Sequence, residues 1–392
     1  MYQFLQSIPN RLTRVTSGGR LIREIDGLRF VAIIPVLIQH LTERFERNTT
    51  VNFTNPPEST LSNFLAHRGF LGVYIFFVIS GFVLALPFAS HHLKQTKKVN
   101  IGSYFWRRLT RLEPPYIIWM TIFFLAFIFQ MHASFVEYLP HYLANITYTH
   151  AIIYNQWSPF NPPTWTLEIE VQFYIFAPVL AYFFFFIKQK NIRRVVNVVL
   201  IILLVLIQQY FKLYLNPYSF SILGHLHYFL LGFILADLYI TDWVEIKKSS
   251  WYDMVAILAL VSLIYSWSWS YELSSRFAVL ISLLVFFIAV FKSHKVNQFV
   301  SNRWIMSIGG MCYTIYLIHL PFSEFFIRLT KNISIGENYS VNLLIQLVLF
   351  IPIVLALSSV FFLMFEKPFM DKNWPDKFSQ KVFSVFKKGR IR

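Results

Sequence analysis

Apolar residues run along this chain in long blocks, without the period-two alternation of half-buried strands. Ten blocks are long enough to read as membrane-crossing helices: 26–42, 69–89, 112–131, 165–187, 194–212, 222–240, 252–270, 275–291, 305–329 and 341–365. The bilayer core offers no water to an unpaired amide, so segments of this kind must satisfy their backbone internally, as helix. The predicted fold is all-α, a polytopic membrane helical bundle of about ten transmembrane helices. A transmembrane domain over 26–365 follows an N-terminal segment, 1–25, and precedes a basic tail, 366–392.

Composition agrees: 56% of residues are hydrophobic, 14% are charged and mean hydropathy is +0.52, too apolar for a water-soluble domain. The formal net charge of +16 would point to nucleic acid in a soluble chain. Here topology explains it. With the N-terminus placed in the cytoplasm, and with Arg194, Lys212, Arg276 and Arg328 at block ends counted with the loops they adjoin, the inner segments hold 27 Lys and Arg and the outer loops 7, Arg29 lying inside the first block. That asymmetry is the positive-inside pattern for an even number of spans with both termini cytoplasmic, so the bilayer is the expected partner and nucleic acid is not. Residues 1–25 carry Arg11, Arg14, Arg20 and Arg23 but no apolar signal-peptide core, and no cleavage is expected. Cys312 is the only cysteine, which excludes an intrachain disulfide, and no metal site is expected. The longest outer loop, 132–164, has no Lys or Arg, three His and the stretch "SPFNPPT". It shows no evident secondary structure and is expected to cover an outward-facing site.

Against this apolar background the ionisable residues stand out, because each costs about 2.5–3.5 kcal/mol or more inside a span. In "DGLRFVAIIPVLIQH", Arg29 and His40 lie eleven residues apart, on one helix face and roughly 16 Å apart along it. Both then line the bundle interior, unless Arg29 sits at the inner interface and His40 reaches outward beside Glu43 and Arg44. "SYFWRRLTRLEPPY" places Arg107, Arg108 and Arg111 before the third span. Arg108 and Arg111, three apart, are neighbours on a helix and suit bidentate phosphate recognition; a positive-inside stop signal fits the same residues. In "NPPTWTLEIEVQFYIFAP", Glu168 and Glu170 follow a proline-marked helix start, and only one of them can face a shared cavity. "CYTIYLIHLPF" buries His319, either as a bonded bundle histidine or as part of a site. His225 and His227 point to different helix faces, which argues against zinc. Gly69, Gly72 and Gly81 read as helix packing, and Ser80 beside them has no partner visible in sequence.

In this order, "REIDGLRFVAIIPVLIQH", "GVYIFFVISGF", "RRLTRLEPP", "TWTLEIEVQFY", "YTIYLIHLPF" and "FEKPF" resemble the acyltransferase family 3 of multi-spanning membrane proteins, over about residues 23–369. The resemblance implies transfer of an acyl group, most often acetyl from acetyl-coenzyme A, across a bacterial cytoplasmic (inner) membrane to a carbohydrate hydroxyl outside. It puts Arg29, His40 and Glu170 in catalytic positions and Arg108 and Arg111, with Arg107, on the acyl-coenzyme A donor. Trp165, Tyr174, Tyr316 and His319 would meet the acceptor, a glycan or lipid-linked sugar, with lipopolysaccharide O-antigen the first expectation. His40 would act as general base or as acyl-accepting nucleophile. Two departures stand out: Tyr74 occupies a position where many members have an acid, and Thr166 replaces the usual Ser. The chain ends soon after its last span without an esterase-like domain, so it is expected to complete transfer alone or pass the group to a separate protein. A proton- or anion-coupled transporter uses similar intramembrane charges, but no inverted repeat is visible to support one. A non-catalytic membrane partner would tolerate substitution of Arg29 and His40.

Overall fold

The computed structural model describes residues 8–15, 21–243, 245–371 and 374; the rest of the N-terminal segment and most of the tail expected over 366–392 lie outside the described residues. Among the described residues there is helix and no strand. Numbered from Arg23, the helices are α1 (Arg23–Asn48), α2 (Leu61–Ala66), α3 (Leu71–Lys94), α4 (Ile101–Met131), α5 (Phe135–Ile146), α6 (His150–Tyr154), α7 (Trp165–Phe186) and α8 (Lys190–Tyr210). They continue with α9 (Leu226–Thr241), α10 (Trp251–Ser266), α11 (Leu273–Lys292), α12 (Lys295–Val300), α13 (Arg303–Gly310), α14 (Cys312–Thr330) and α15 (Tyr339–Phe361).

Every apolar block of the sequence falls on helix, but the helices differ in length. Among the described residues, seven helical stretches are long and apolar enough to cross a membrane, and the pair α13 and α14, bent by 67°, makes an eighth if taken as one span. The apolar helices α9 and α10 have 16 residues each. At about 1.5 Å per residue such a helix falls short of a roughly 30 Å hydrocarbon core. The block 305–329 reads as one continuous span in sequence, whereas the structure breaks it at Met311. No proline marks the break, and Gly309 and Gly310 precede it. The basic stretch before the third span is helical too, since α4 begins at Ile101, capped by the Asn100 side chain on the Ser103 amide. The loop 132–164 is more ordered than expected: it holds α5, α6 and a short 3-10 turn, Pro162–Thr164. Tyr116 donates to the Asn145 carbonyl, and Asn161 Nδ2 to the Leu317 carbonyl, which tie the loop to α4 and α14.

Burial sorts the helices into an inner and an outer set. Helix α1 packs against α3, α13, α14 and α15, and α3 against α1, α7 and α9. Leu28, Ala32, Ile33 and Leu37 on α1 are fully buried, as are Phe229, Phe233, Leu235 and Ala236 on α9. A helix apolar on every side belongs in the interior, which suits α9. Its one carboxylate, Asp237, is neutralised from α8, accepting from Arg193 Nε at 3.0 Å and Arg194 Nε at 2.6 Å. By contrast, Val195, Val199 and Leu206 on α8 and Leu344 and Val348 on α15 are exposed, an outer face suited to acyl chains.

The crossing of α3 and α9 is set by two glycines. A Cβ on Gly81 would lie 2.1 Å from the Phe229 carbonyl oxygen, and one on Gly232 would lie 2.4 Å from backbone atoms of Val78 and Phe82. With no hydrophobic force between helices in lipid, such close backbone approach supplies the packing. Gly232→Leu is therefore expected to lower the unfolding temperature in detergent and broaden the size-exclusion peak, since overpacking costs about 1–3 kcal/mol. Gly102→Ala, where a Cβ would meet only Asn100 Oδ1 at 3.4 Å, should leave both measurements unchanged.

Candidate active site

A cavity of about 110 Å³ lies between α1, α3, α4, α7 and α14. Four guanidinium groups line it, those of Arg14, Arg29, Arg108 and Arg111, against the carboxylates of Glu170 and Glu366. Arg29 stands one turn beyond Asp26, whose Oδ1 accepts from Arg29 Nη1 at 2.5 Å. Arg14 reaches the same carboxylate from the preceding segment, Nε lying 2.9 Å from Oδ1 and 3.1 Å from Oδ2. Asp26 sits in the first turn of α1, where the helix dipole favours a carboxylate. Burial pushes the Arg14 guanidinium down to about 9, the neighbouring Arg29 charge adding to the effect and Asp26 opposing it. An incoming anion would relieve this cation of its desolvation.

The arginines of α4 arrive from the opposite wall. Arg108 packs over the rings of Tyr174 and Tyr104, at 5.5 and 5.9 Å. Arg111 is the more telling residue: its Nε is buried and has no hydrogen-bond partner among the described residues. An orphaned guanidinium N–H at a cavity wall carries a desolvation penalty that an oxyanion would offset. The broken span adds to the same potential. Cys312 and Tyr313 open α14 at the cavity, so a helix N-terminus begins inside the bundle. Glu366, at the end of a π turn (Phe362–Glu366), accepts there from the Thr314 amide at 3.1 Å and from Thr314 Oγ1 at 2.5 Å.

Deeper in the cavity Ser80 on α3 donates to Glu170 Oε1 on α7. Glu170 and Glu168 diverge as their spacing requires. Glu168 turns away and accepts the Ala151 amide at 3.0 Å, fixing α6 to α7. Beyond the cavity, Tyr316 forms the wall toward a pair of histidines. Its hydroxyl donates to the Pro163 carbonyl at 2.7 Å and lies 2.5 Å from Thr166 Oγ1, so the Thr at this position keeps a hydroxyl in place.

His40 Nδ1 lies 2.8 Å from His319 Nε2. The neutral tautomers follow from the second ring nitrogen of His319: Nδ1 is 2.8 Å from the Tyr316 carbonyl, and a carbonyl only accepts. His319 Nδ1 thus carries the proton and Nε2 is a lone pair. His40 Nδ1–H donates to that lone pair, which leaves His40 Nε2 as a bare lone pair with no hydrogen bond among the described residues. His319 is fully buried, whereas His40 is half-buried. This arrangement leaves His40 in one tautomer with a fixed lone pair on Nε2.

The expected residues separate into three places. Arg29, Arg108, Arg111, Glu170, Tyr174 and Tyr316 share the cavity. His40 and His319 form their own pair, next to Tyr316 but not on the cavity lining, so Arg29 and His40 do not line one common space as their shared helix face suggests. Arg107 is exposed on the far side of α4, because its neighbour Arg108 takes the inward position. Trp165 lines a second cavity, its ring stacked on Phe70 at 5.8 Å. Arg14, Glu366 and the Ser80 pairing were not anticipated. "FEKPF" marks Glu366 as an acid just past the last span, but nothing along the chain joins Ser80 to Glu170, ninety residues on.

Comparison with known proteins now gives the class. The profile of a family described as "Acyltransferase domain" matches residues 22–363, and the chain belongs to that family. It is 27% identical over 331 residues to O-acetyltransferase OatA of Staphylococcus aureus, in strain NCTC 8325 / PS 47 and in strain COL alike, covering 78% of this chain and 51% of OatA. Another relative from strain COL, named provisionally as an O-acetyltransferase, is 25% identical over 330 residues, 78% of this chain and 51% of its own. The chain thus spans about half the length of the curated relatives it matches. No solved structure matches it.

Asp26 is 2% exposed and is the carboxylate shared by Arg14 and Arg29. Breaking a buried ion pair from one side costs about 3–5 kcal/mol. Asp26→Asn is expected to lower the thermal unfolding midpoint in detergent by several degrees, and an unchanged midpoint would refute the shared pairing.

Proposed function

We propose that this protein is a multi-pass membrane O-acetyltransferase of a bacterial cytoplasmic membrane that moves acetyl from cytoplasmic acetyl-coenzyme A to a hydroxyl of an extracytoplasmic glycan. In this reading both termini are cytoplasmic, the ten apolar helices over 26–365 form the transferase domain, and the acceptor is a surface polysaccharide such as lipopolysaccharide O-antigen. The family assignment supports the reaction class, and the excess of Lys and Arg on one side of the spans supports the orientation. The observation that carries the reading is the free Nε2 of His40, held in one tautomer by His319 one layer beyond a cavity of arginines.

The donor set suits a coenzyme A phosphate chain: four guanidiniums, one with an orphaned Nε, and a helix N-terminus. Arg108 and Arg111 bind, while Arg14 and Arg29 supply positive potential tempered by Asp26. Coenzyme A supplies the acetyl group as a thioester, and the residues of this chain then do two things. The cavity orients the thioester toward Tyr316 and the histidine pair. His40 Nε2 takes the proton as the acceptor oxygen attacks the carbonyl carbon; the new C–O bond replaces the C–S bond, and the sulfur leaves as thiolate. Protonated His40 is stabilised because its Nδ1–H already points at the His319 lone pair. Glu170, bonded to Ser80, orients groups within the cavity.

His40→Ala should lower acetyl transfer in membrane vesicles by about 10²–10⁴-fold, the range of a positioned general base. His319→Phe keeps a ring but no acceptor and should lower the rate without raising the donor KM. Wild-type transfer by a properly inserted His40→Ala protein would sink the role. The double variant Arg108→Ala/Arg111→Ala should raise the apparent KM for acetyl-coenzyme A at least tenfold, as expected for losing charged hydrogen bonds of about 1.5–3 kcal/mol. Unchanged donor dependence would refute phosphate binding by these arginines.

A further inference from the structure

A second cavity, of about 470 Å³, opens between α3, α7, the α8–α9 connection and the α10–α11 connection. It lies toward the end of the bundle away from Arg29: the Phe70 amide on its wall donates to Gln39 Oε1 at 2.9 Å, beside His40 in sequence. Its walls are aromatic. Trp267 and Trp269 pack at 4.8 Å, Tyr214 stacks on Tyr271 at 4.9 Å, and Tyr74 stacks on Tyr228 at 4.1 Å. An interfacial aromatic belt would turn such rings to lipid. Here they enclose polar groups instead.

Those polar groups are short of partners. His227 is 1% exposed, and neither of its ring nitrogens has a hydrogen bond among the described residues. His225 Nε2 lies 3.0 Å from the Ser219 carbonyl, so it holds the proton, leaving buried Nδ1 as an unpartnered acceptor. Arg276 on α11 is 7% exposed and is held by neutral groups, Gln208 Oε1 at 2.5 Å and Gln209 Oε1 at 3.0 Å. No carboxylate pairs with it among the described residues, and no Asp or Glu lines the cavity. A buried cation without a counterion is costly unless an anion completes the site.

From this geometry we infer that the second cavity is a saccharide-binding site selective for an anionic sugar, whose pyranose faces lie on the tryptophan and tyrosine rings and whose acidic group pairs with Arg276. Pyranose rings offer C–H faces to aromatic π-systems and hydroxyl edges to ring nitrogens, which matches rings around unpartnered His225 and His227. The volume falls in the ~300–1,000 Å³ range of ligand pockets. The two cavities share a partition, because Phe77 lines the first and packs 5.2 Å from His225 in the second. The inference rests on the transferase reading for its purpose, since a glycan held here would be the acceptor, but not for its test. The acidic group could be a uronate carboxylate or a sugar phosphate, both oxyanions on a pyranose.

The test is binding to the purified full chain in nanodiscs, read by intrinsic tryptophan fluorescence, with a glucuronate-containing tetrasaccharide, N-acetylglucosamine 1-phosphate and a neutral maltotetraose as probes. At least one anionic probe should bind about tenfold or more tighter than maltotetraose, and which one does so identifies the carboxylate or the phosphate as the preferred group. Arg276→Gln should abolish that preference, Arg276→Lys should retain part of it, and Trp269→Ala, at the 55% exposed rim, should weaken the bound saccharides about tenfold. The rim variant keeps the test informative if the Arg276 variants do not fold. Equal binding of charged and neutral probes, no binding of any, or an anionic preference that survives Arg276→Gln in a folded protein would overturn the inference. Acetyl-coenzyme A turnover measured on the same samples separates the two readings: saccharide binding without turnover counts against the transferase reading alone, and turnover without binding counts against this site alone.

Discussion

The Asp26 carboxylate, shared between Arg14 and Arg29, is the interaction on which the interior of this bundle depends. Guanidinium groups placed in an apolar helical bundle are tolerable only where each is paired, solvated or waiting for an anion. Asp26 meets that requirement for two of the four arginines around the first cavity. Glu366 shares the cavity wall with Arg111 while its own oxygen is held by Thr314. What remains is an excess of positive charge with an orphaned nitrogen on Arg111, an electrostatic demand that an anion would meet.

Backbone geometry decides where those charges end up. The close approach of Gly81 to Phe229 and of Gly232 to Val78 and Phe82 draws α9 onto α3, which fixes one wall for both cavities. The break at Met311 starts α14 inside the bundle, so that its Thr314 amide meets the Glu366 carboxylate and its third turn carries His319 to His40. A continuous helix over 305–329 would supply no free amides at that depth.

The functional groups stand in layers. Arginines occupy one cavity, Tyr316 closes it on the histidine side, and Phe77 closes it on the side of the aromatic cavity. Such a sequence of compartments sets a cavity lined by charge beside one lined by ring faces. It also accounts for the placement of Trp165. Its neighbour Thr166 faces the first cavity while the indole faces the second, because successive residues on a helix point about 100° apart.

Much of this was legible along the chain. A lipid solvent allows few polar residues inside spans, so Arg29 and Glu170 stood out from the apolar background without any coordinates, Arg108 and Arg111 stood out as arginines at helical spacing before the third span, and helical spacing kept Glu168 and Glu170 from sharing a direction. The same spacing failed for Arg29 and His40, since a shared helix face does not say which neighbour packs at each level: α14 takes His40 while the cavity takes Arg29. Pairings between distant helices, His40 with His319 and Ser80 with Glu170, leave no periodic trace in sequence. Hydropathy and charge fixed the helices and the candidate ions, because solvation acts on each residue by itself. Only the tertiary structure chose their partners, because hydrogen bonds and ion pairs depend on distances that packing alone sets.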